Sequence, residues 1–261
     1  MTGIEQDIAE RKAALDRLRP LGVEVLAGLR HYYDVELTFT SNAIEGNTLT
    51  ALETAQLIEH GITVGGKPLR DHLEAEDHYS ALQWVRELAA AAQPITEDLV
   101  TELHRRIVAR SAPAIAGMYS SHLRRIAGSA VIFPSRLKIP ALMETFGRNL
   151  SDLPETPDTA FRAHFDLVSI HPFSDGNGRT ARLLMNLVLL RGGYPPLAVR
   201  PEDRNEYLLG LEQAQLTGDQ TLYLALMRRR LKETLDDYIS ALDQAITPEN
   251  QPRPPGKSRG S

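Results

Sequence analysis

The run from Leu183 to Leu190 constrains the fold more than any other part of the sequence, because Asn186 is its only polar residue. A helix that is apolar on every face has to be surrounded by other elements of structure. Eight residues are far fewer than the roughly 18 that a membrane-spanning helix needs. The run therefore predicts a central helix, buried inside a group of other helices.

Signals for further helices recur along the chain. Thr50-Ala-Leu-Glu53 has the form of a capping box, and Thr156-Pro157-Asp158 combines a cap, a first-turn proline and an early acidic residue. Gly46 is placed to end a helix that covers about residues 32–44. Helical spacing of apolar residues predicts helices over residues 15–29 (with a break at Pro20), 69–92, 96–109, 140–150, 157–170, 204–216 and 221–245.

Residues 112–140 differ from the rest of the chain, since they include three prolines and two glycines. Gly128-Ser129 lies between two short apolar runs, Leu123–Ile126 and Ala130–Phe133, a pattern typical of a β-hairpin. We therefore predict an all-α fold with one short β-hairpin.

Composition excludes several classes of protein. The 261 residues include no cysteine, so disulfide bonds and cysteine-ligated metal sites are excluded. The net charge of -5 argues against a dedicated nucleic-acid binder, and we interpret Arg228-Arg-Arg230 as a solvated helical face. Residues 1–11 lack the apolar segment of a secretory signal. We expect a cytoplasmic protein that binds neither nucleic acid nor a membrane.

The twelve residues His171-Pro-Phe-Ser-Asp-Gly-Asn-Gly-Arg-Thr-Ala-Arg182 bring together groups that suit phosphate binding. A loop that turns through Gly176 and Gly178 leads into the apolar helix, whose first N–H groups have no partner within the helix. Arg179 and Arg182 are three residues apart, so both guanidinium groups can face one anion. Each feature is common by itself, but their coincidence predicts a site for more than one phosphate.

Two other side chains of this loop can take part in a reaction. Asp175 is a carboxylate beside the predicted anion site, where it can hold Mg²⁺ against phosphate oxygens. His171 titrates near neutral pH and can accept a proton from an attacking hydroxyl. An alternative is a metal site formed by His164, His171 and Asp175, although it leaves the glycines and both arginines without a role.

The loop matches, at every specified position, the signature of the Fic (Fido) family, His-x-Phe-x-Asp/Glu-Gly-Asn-Gly-Arg-x-x-Arg. Arg191-Gly-Gly-Tyr-Pro-Pro196 and Arg204-Asn-Glu-Tyr207 also resemble segments of that family, so the resemblance covers roughly residues 35–230. Fic proteins are α-helical, and most transfer AMP from ATP to a hydroxyl of a target protein. The resemblance implies a protein adenylyltransferase that uses ATP and Mg²⁺ and modifies Ser, Thr or Tyr of a target or of itself.

The resemblance also implies a role for each residue of the loop. His171 would be the base, Asp175 would coordinate Mg²⁺ between the α- and β-phosphates, and Arg182 would hold the γ-phosphate. The remaining phosphate contacts and the anion hole would come from Gly176, Asn177, Gly178 and Arg179. The family's adenosine contacts fall on Tyr207, Leu208 and Leu211.

The predicted hairpin, at about residues 120–136, corresponds to the family's flap, along which the chain of the target docks by strand-like pairing. Gly117-Met-Tyr-Ser120 departs from the Gly-x-Tyr/Phe-Arg that often precedes the flap in this family. The details of the flap, and hence the target preference, therefore stay open.

A second motif of the family is Ser41-Asn-Ala-Ile-Glu45-Gly46. Ser41 and Glu45 are four residues apart on one helical face, which alone is a common arrangement. The segment matches the inhibitory motif Ser/Thr-x-x-x-Glu-Gly/Asn, which implies that Glu45 pairs with Arg182 and occupies the γ-phosphate position. ATP would then bind with its α-phosphate misplaced for attack. In some members the same glutamate helps to remove AMP.

We expect one helical body without internal repeats or a linker. Its predicted parts are N-terminal helices over residues 1–110, with the inhibitory helix at about 35–46, a Fic core over 111–230, a C-terminal helix over 231–246 and a disordered tail over 247–261. Three other functions stay open: removal of AMP, transfer of a phosphoryl or another nucleotidyl group, and nucleotide binding at a site that Glu45 locks. The resemblance also allows a homodimer.

Overall fold

The computed structural model describes residues 3–91, 93–122, 124–125 and 128–246, and most of these residues are helical. The ten α-helices of this described part are α1 (Gly3–Arg17), α2 (Val23–Ile44), α3 (Ala51–His60), α4 (Leu69–Ala91), α5 (Glu97–Ile107), α6 (Ile139–Ser151), α7 (Pro157–Ile170), α8 (Asn177–Arg191), α9 (Arg204–Thr217) and α10 (Thr221–Ile246). Single 3₁₀ turns occupy Pro113–Ile115 and Pro201–Asp203. Within the described part, none of the helices combines the length and the apolarity that a membrane crossing requires.

Helix α8 is the central helix that the apolar run predicts. It packs against α2, α4, α5 and α7, and the side chains from Leu183 to Leu189 are all buried. Asn186 is satisfied within this apolar surrounding, since its amide donates to the carbonyls of Arg182 and Leu197 and its oxygen accepts from the Leu197 N–H. The one polar residue of the run therefore fixes the chain that returns after α8.

The predicted helix signals are confirmed at three starts and one end. Thr50 forms the capping box with Glu53, and the hydroxyls of Thr96 and Thr156 cap α5 and α7. Helix α2 ends at Ile44, and Glu45 follows as its C-cap. The C-cap matters for the site, because it fixes where α2 ends and therefore where Glu45 lies.

The predicted hairpin is not confirmed. The described part of residues 120–136 contains no strand pairing, whereas Leu123, Ile126 and Ala127 lie outside the described residues. The turn at Gly128 is present, with φ of 83°, and the buried side chain of Phe133 stacks on the imidazole of His171. Among the residues that the structure describes, the strand-like pairing is one antiparallel bridge between Tyr119 and Phe173.

The C-terminal part differs from the predicted division of the chain. Helix α10 is continuous from Thr221 to Ile246, so the predicted boundary after residue 230 falls inside it. Residues 247–261, for which we predict disorder, lie outside the described residues.

The basic stretch of α10 is engaged in ion pairs. Arg228, Arg229 and Arg230 are paired with carboxylates, among them Asp158, Glu206 and Asp203. The basic stretch is thus an ion-paired face where we had expected a solvated one.

Gly147 permits the close contact between α6 and the start of α5. A Cβ built on Gly147 would lie 2.5 Å from the backbone nitrogen of Glu97. We expect Gly147→Ala to lower the free energy of unfolding by ~1–3 kcal/mol, the usual cost of overpacking. Gly28→Ala is the matched control, because Gly28 is an exposed position of α2 where a Cβ meets nothing within 4 Å, and it should stabilise the fold by roughly 0.5–1 kcal/mol. Urea unfolding measures both changes, and equal shifts would contradict the close packing.

Candidate active site

A cavity of about 320 Å³ lies where the end of α2, the loop from α7 to α8, and α9 meet. Ten of the residues singled out in the sequence line it: Glu45, His171, Asp175, Gly176, Asn177, Gly178, Arg182, Tyr207, Leu208 and Leu211. Ser41 and Arg179 are buried behind this lining. The structure therefore brings together in one place the loop of residues 171–182, the motif of residues 41–46 and the predicted adenosine contacts of α9.

His171 stands at the end of α7 in a left-handed conformation, with φ of 51°, the one positive φ of a non-glycine residue among those described. This sparsely populated conformation turns the chain sharply out of the helix. The ring stacks on Phe133, with 4.1 Å between centroids. Nδ1–H donates to the carbonyl of Val168 at 3.3 Å, so in the neutral ring the lone pair is on Nε2.

Burial lowers the pKa of His171 to about 4, and the charge of Arg124 acts in the same direction. The imidazole is therefore neutral at pH 7, with a free lone pair. A ring fixed in this tautomer can accept a proton from a hydroxyl that lies in the cavity.

The loop after His171 is closed by its own side chains. Asn177 makes two hydrogen bonds of 2.9 Å with the backbone of Phe173, one from the Phe173 N–H and one to its carbonyl. The side chain of Asn177 therefore shapes the loop, and its contribution to an anion site comes through its backbone N–H at the start of α8. Gly176, with φ of 73°, is the N-cap of α8.

Gly178 leaves space that another residue would fill. A Cβ added at Gly178 would collide with Oε1 of Glu45 and would approach Nη1 of Arg182. The carboxylate of Glu45 thus lies directly over the first turn of α8, where the helix dipole favours an anion.

Arg182 connects α8 to the end of α2. Its Nε donates to the hydroxyl of Ser41 at 2.9 Å, and its Nη2 donates to the carbonyl of Ser41 and to Oε1 of Glu45, at 2.8 and 2.7 Å. Arg182 is 4% exposed, whereas Glu45 is 40% exposed. The guanidinium is thereby fixed by three hydrogen bonds, and the carboxylate faces the cavity.

Asp175 is a candidate for holding a metal ion. Its Oδ1 accepts from the Gly176 N–H at 2.6 Å, while its Oδ2 faces a positive charge, Nη2 of Arg70, at 2.8 Å. Burial raises the pKa of Asp175. The pKa is nevertheless held below its usual range, because the charge of Arg179, the Gly176 N–H and Arg70 all lower it. Within the described ranges no three acidic or histidine side chains form a metal cluster. A single carboxylate beside an anion site fits Mg²⁺, which takes most of its ligands from water and substrate phosphates.

Arg179 is buried with part of its donor capacity unused. Its Nη1 lies 3.4 Å from Glu74 and its Nη2 lies 3.6 Å from Asp175. Nε and Nη1 have no hydrogen-bond partner among the described residues. Buried donors without partners are costly. A bound phosphate would supply the missing hydrogen-bond acceptors for Arg179.

The predicted adenosine contacts differ in exposure. Tyr207 is buried, and its hydroxyl lies 2.7 Å from Nε2 of His164. Leu208 is half-exposed and Leu211 is buried. Tyr207 and Leu211 can therefore form the apolar wall of the cavity, while Leu208 lies at its edge.

The alternative metal site of His164, His171 and Asp175 is not formed. Nδ1 of His164 lies 2.9 Å from the hydroxyl of Tyr223, and Nε2 is taken by Tyr207. Both ring nitrogens of the fully buried His164 are engaged, so neither has a lone pair free for a metal.

Four residues of the site were not predicted as site residues, although Arg204 belongs to a segment that resembles the family. His104 of α5 stacks on Phe173 at 3.7 Å, donates from Nε2 to the carbonyl of Asp175 and accepts the Gly117 N–H at Nδ1. Burial lowers the pKa of His104 to about 4, which keeps Nδ1 available as an acceptor. The other three are Arg70 and Glu74 of α4, and Arg204, which donates to the carbonyl of Ile44. The spacing of Arg70 and Glu74 suggests a helical ion pair, but no local signal relates any of the four to the loop.

Comparison with known proteins gives a consistent result. The model of the Fic/DOC family matches residues 94–189. The chain is 38% identical, over 208 residues, to protein adenylyltransferase Fic of Nematostella vectensis, which covers 78% of this chain and 48% of that protein. It is 31% identical, over 222 residues, to protein adenylyltransferase fic-1 of Caenorhabditis elegans, covering 79% of this chain and 44% of the relative. The chain thus spans about half the length of the curated relatives it matches.

Solved structures agree with the fold. A Fic domain containing signaling protein from Bacteroides thetaiotaomicron superimposes with a TM-score of 0.83 at 29% identity, covering 91% of this chain and 97% of that one. Fic-1 from Caenorhabditis elegans superimposes with a TM-score of 0.82 at 28% identity, covering 93% and 73%. The helical architecture is therefore shared with experimentally determined structures.

Proposed function

Because the chain belongs to the Fic/DOC family, we propose that it is a protein adenylyltransferase, which transfers AMP from ATP to a hydroxyl side chain of a protein. The arrangement of His171 carries this proposal. A neutral imidazole with its lone pair on Nε2 lines the same cavity as the first turn of α8 and Arg182. A site that only bound a nucleotide would have no use for a base at this point.

The reaction is a substitution at the α-phosphorus of ATP. His171 accepts the proton of the target hydroxyl at Nε2 while the hydroxyl oxygen forms its bond to the α-phosphorus. The bond to the β-phosphate breaks, and pyrophosphate leaves. A positioned base contributes about 10²–10⁴-fold to such a rate, and the fixed tautomer of His171 supports this role.

The phosphates would be held by charge and by backbone N–H groups. The start of α8 at Asn177 and Gly178 forms the anion hole, Arg179 supplies its unpartnered donors, and Arg182 holds the γ-phosphate. Asp175 would hold Mg²⁺, which neutralises phosphate charge when it is bound. Tyr207, Leu208 and Leu211 would line the adenosine pocket.

We propose that residues 120–136 dock the target chain. Two contacts support this: the Ser120 N–H donates to the carbonyl of Pro172 at 2.8 Å, which joins the segment to the loop, and Phe133 stacks on His171. A target segment bound there would be held next to the base.

Glu45 is proposed as a brake on this activity. Its ion pair with Arg182 and its position over Gly178 put a carboxylate where a phosphate would bind. A triphosphate that is shifted to avoid this carboxylate has its α-phosphorus out of line with the hydroxyl. Since Glu45 and His171 line one cavity, removal of AMP by water is the second candidate function.

The test compares ATP labelled at the α-phosphate with ATP labelled at the γ-phosphate, using the Glu45→Gly variant with Mg²⁺. The acceptors are the chain itself and a mixture of added proteins. We expect protein-bound label from the α-position only, because the β- and γ-phosphates leave as pyrophosphate.

Three other outcomes separate the alternatives. Label from the γ-position would identify phosphoryl transfer. Loss of label from pre-labelled protein on adding the wild-type chain would identify removal of AMP. ATP binding with no label in either direction would identify a nucleotide-binding regulator.

A further inference from the structure

Arg70, near the start of α4, lies against the carboxylate that would hold Mg²⁺. Its Nη2 is 2.8 Å from Oδ2 of Asp175. The other oxygen of Asp175 is already taken by the Gly176 N–H. Nη2 of Arg179 also lies 3.6 Å from that oxygen. Oδ2 is therefore the less engaged oxygen and the better ligand for a cation, and the guanidinium of Arg70 occupies it.

Glu74, one turn further along α4, holds Arg70 from the other side. Its Oε1 accepts from Nε of Arg70 at 2.9 Å, and its Oε2 accepts from the side-chain amide of Asn47 at 3.3 Å. Glu74 is 10% exposed, while Arg70 is 60% and Asp175 is 45% exposed. The guanidinium of Arg70 thus donates to Asp175 and to Glu74 from two different nitrogens. The hydrogen bond from Nη2 to Asp175 can therefore break while the hydrogen bond from Nε to the buried Glu74 is kept.

From this arrangement we infer that Arg70 is a resident cation at Asp175 which an incoming divalent cation has to displace, so that Arg70 sets the metal affinity of the site. The inference rests on the proposed function, which assigns the metal to Asp175. Two positive groups cannot share one carboxylate oxygen without strong repulsion. A divalent cation alone must therefore compete with Arg70, whereas a cation that arrives with a nucleotide brings phosphate oxygens as further ligands.

The experiment measures binding of Mn²⁺ alone, from the free-ion signal in electron paramagnetic resonance. The proteins are the wild type, Arg70→Gln, Arg70→Lys, Asp175→Asn and the double variant Arg70→Gln/Asp175→Asn. Arg148→Gln is the matched control, because Arg148 of α6 is 65% exposed and its removal changes the net charge equally. Circular dichroism checks that each variant is folded.

We expect Arg70→Gln to bind Mn²⁺ about fivefold more tightly, the effect of losing a competing ion pair at a partly exposed site. Arg70→Lys keeps the charge and should stay close to the wild type, as should Arg148→Gln. Asp175→Asn should bind weakly with or without Arg70.

Two results would overturn the inference, and they are distinguishable. If Asp175→Asn loses Mn²⁺ but Arg70→Gln shows no gain, Arg70 does not compete, and the assignment of the metal to Asp175 stands. If the gain from Arg70→Gln persists in the double variant, the ion binds elsewhere, and the metal assignment fails as well.

Discussion

Replacing Glu45 by glycine should raise protein labelling from α-labelled ATP by about 100-fold, the cost of a misplacement of about 1 Å in the reacting geometry. In the wild type, the carboxylate holds Arg182 and lies over Gly178. Without it, Arg182 keeps its two hydrogen bonds to Ser41, and the second N–H of its Nη2 becomes free for the γ-phosphate. The α-phosphate can then take its place over the start of α8. The measurement is the initial rate of labelling at saturating ATP.

Two further variants identify the cause of the activation. Glu45→Gln keeps the size of the side chain and removes its charge, so partial activation would show that the ion pair contributes. Ser41→Ala removes the hydroxyl that accepts from Nε of Arg182 but leaves the carboxylate in place, and it should stay inhibited. A Glu45→Gly variant that binds ATP and labels no faster than the wild type would contradict the brake.

The loop that contains Arg182 and the contact of Arg182 with Glu45 differ in how far the sequence predicts them. Residues 171–182 are contiguous, so the glycine turn, the helix start and the spacing of the arginines follow from local rules. The contact between Arg182 and Glu45 joins residues 137 positions apart. No spacing rule yields that contact, and it was predicted only through the resemblance to a family.

Other parts of the site show the same limit. The pairing of Arg70 with Asp175 spans 105 residues, and that of His104 with the Asp175 carbonyl spans 71. Both depend on how α4 and α5 pack on α8, which is decided by the whole core. In the fold, caps and periodicity predicted the helices from α3 onward well, since these signals are local. The two helices predicted over residues 15–29 and 32–44 are wrong in their bounds, because α1 covers Gly3–Arg17 and α2 runs without a break from Val23 to Ile44. The hairpin stays unconfirmed: the turn at Gly128 is present, but Leu123, Ile126 and Ala127 of its predicted first strand and turn lie outside the described residues.

Replacing His171 by alanine in the Glu45→Gly background should lower the rate of labelling by about 10²–10⁴-fold while leaving ATP affinity unchanged. His171 contacts Val168 and Phe133 but makes no bond that closes the phosphate loop, which is the task of Asn177 and His104. Its loss should therefore remove the proton acceptor and leave the anion site intact. His60→Ala, at the exposed end of α3, is the control and should keep full activity.

The pH dependence tests the same residue independently. The pKa of His171 is lowered to about 4 by burial, so the ring is mostly neutral above that pH, half protonated at it and mostly protonated below it. Since kcat/KM reports the free enzyme, kcat/KM for ATP should be level between about pH 8 and 5.5 and should fall as the pH approaches 4. A decline centred near 6.5, the ordinary value for histidine, would mean that burial does not control this base. Loss of ATP binding in His171→Ala would instead make His171 a structural residue of the loop.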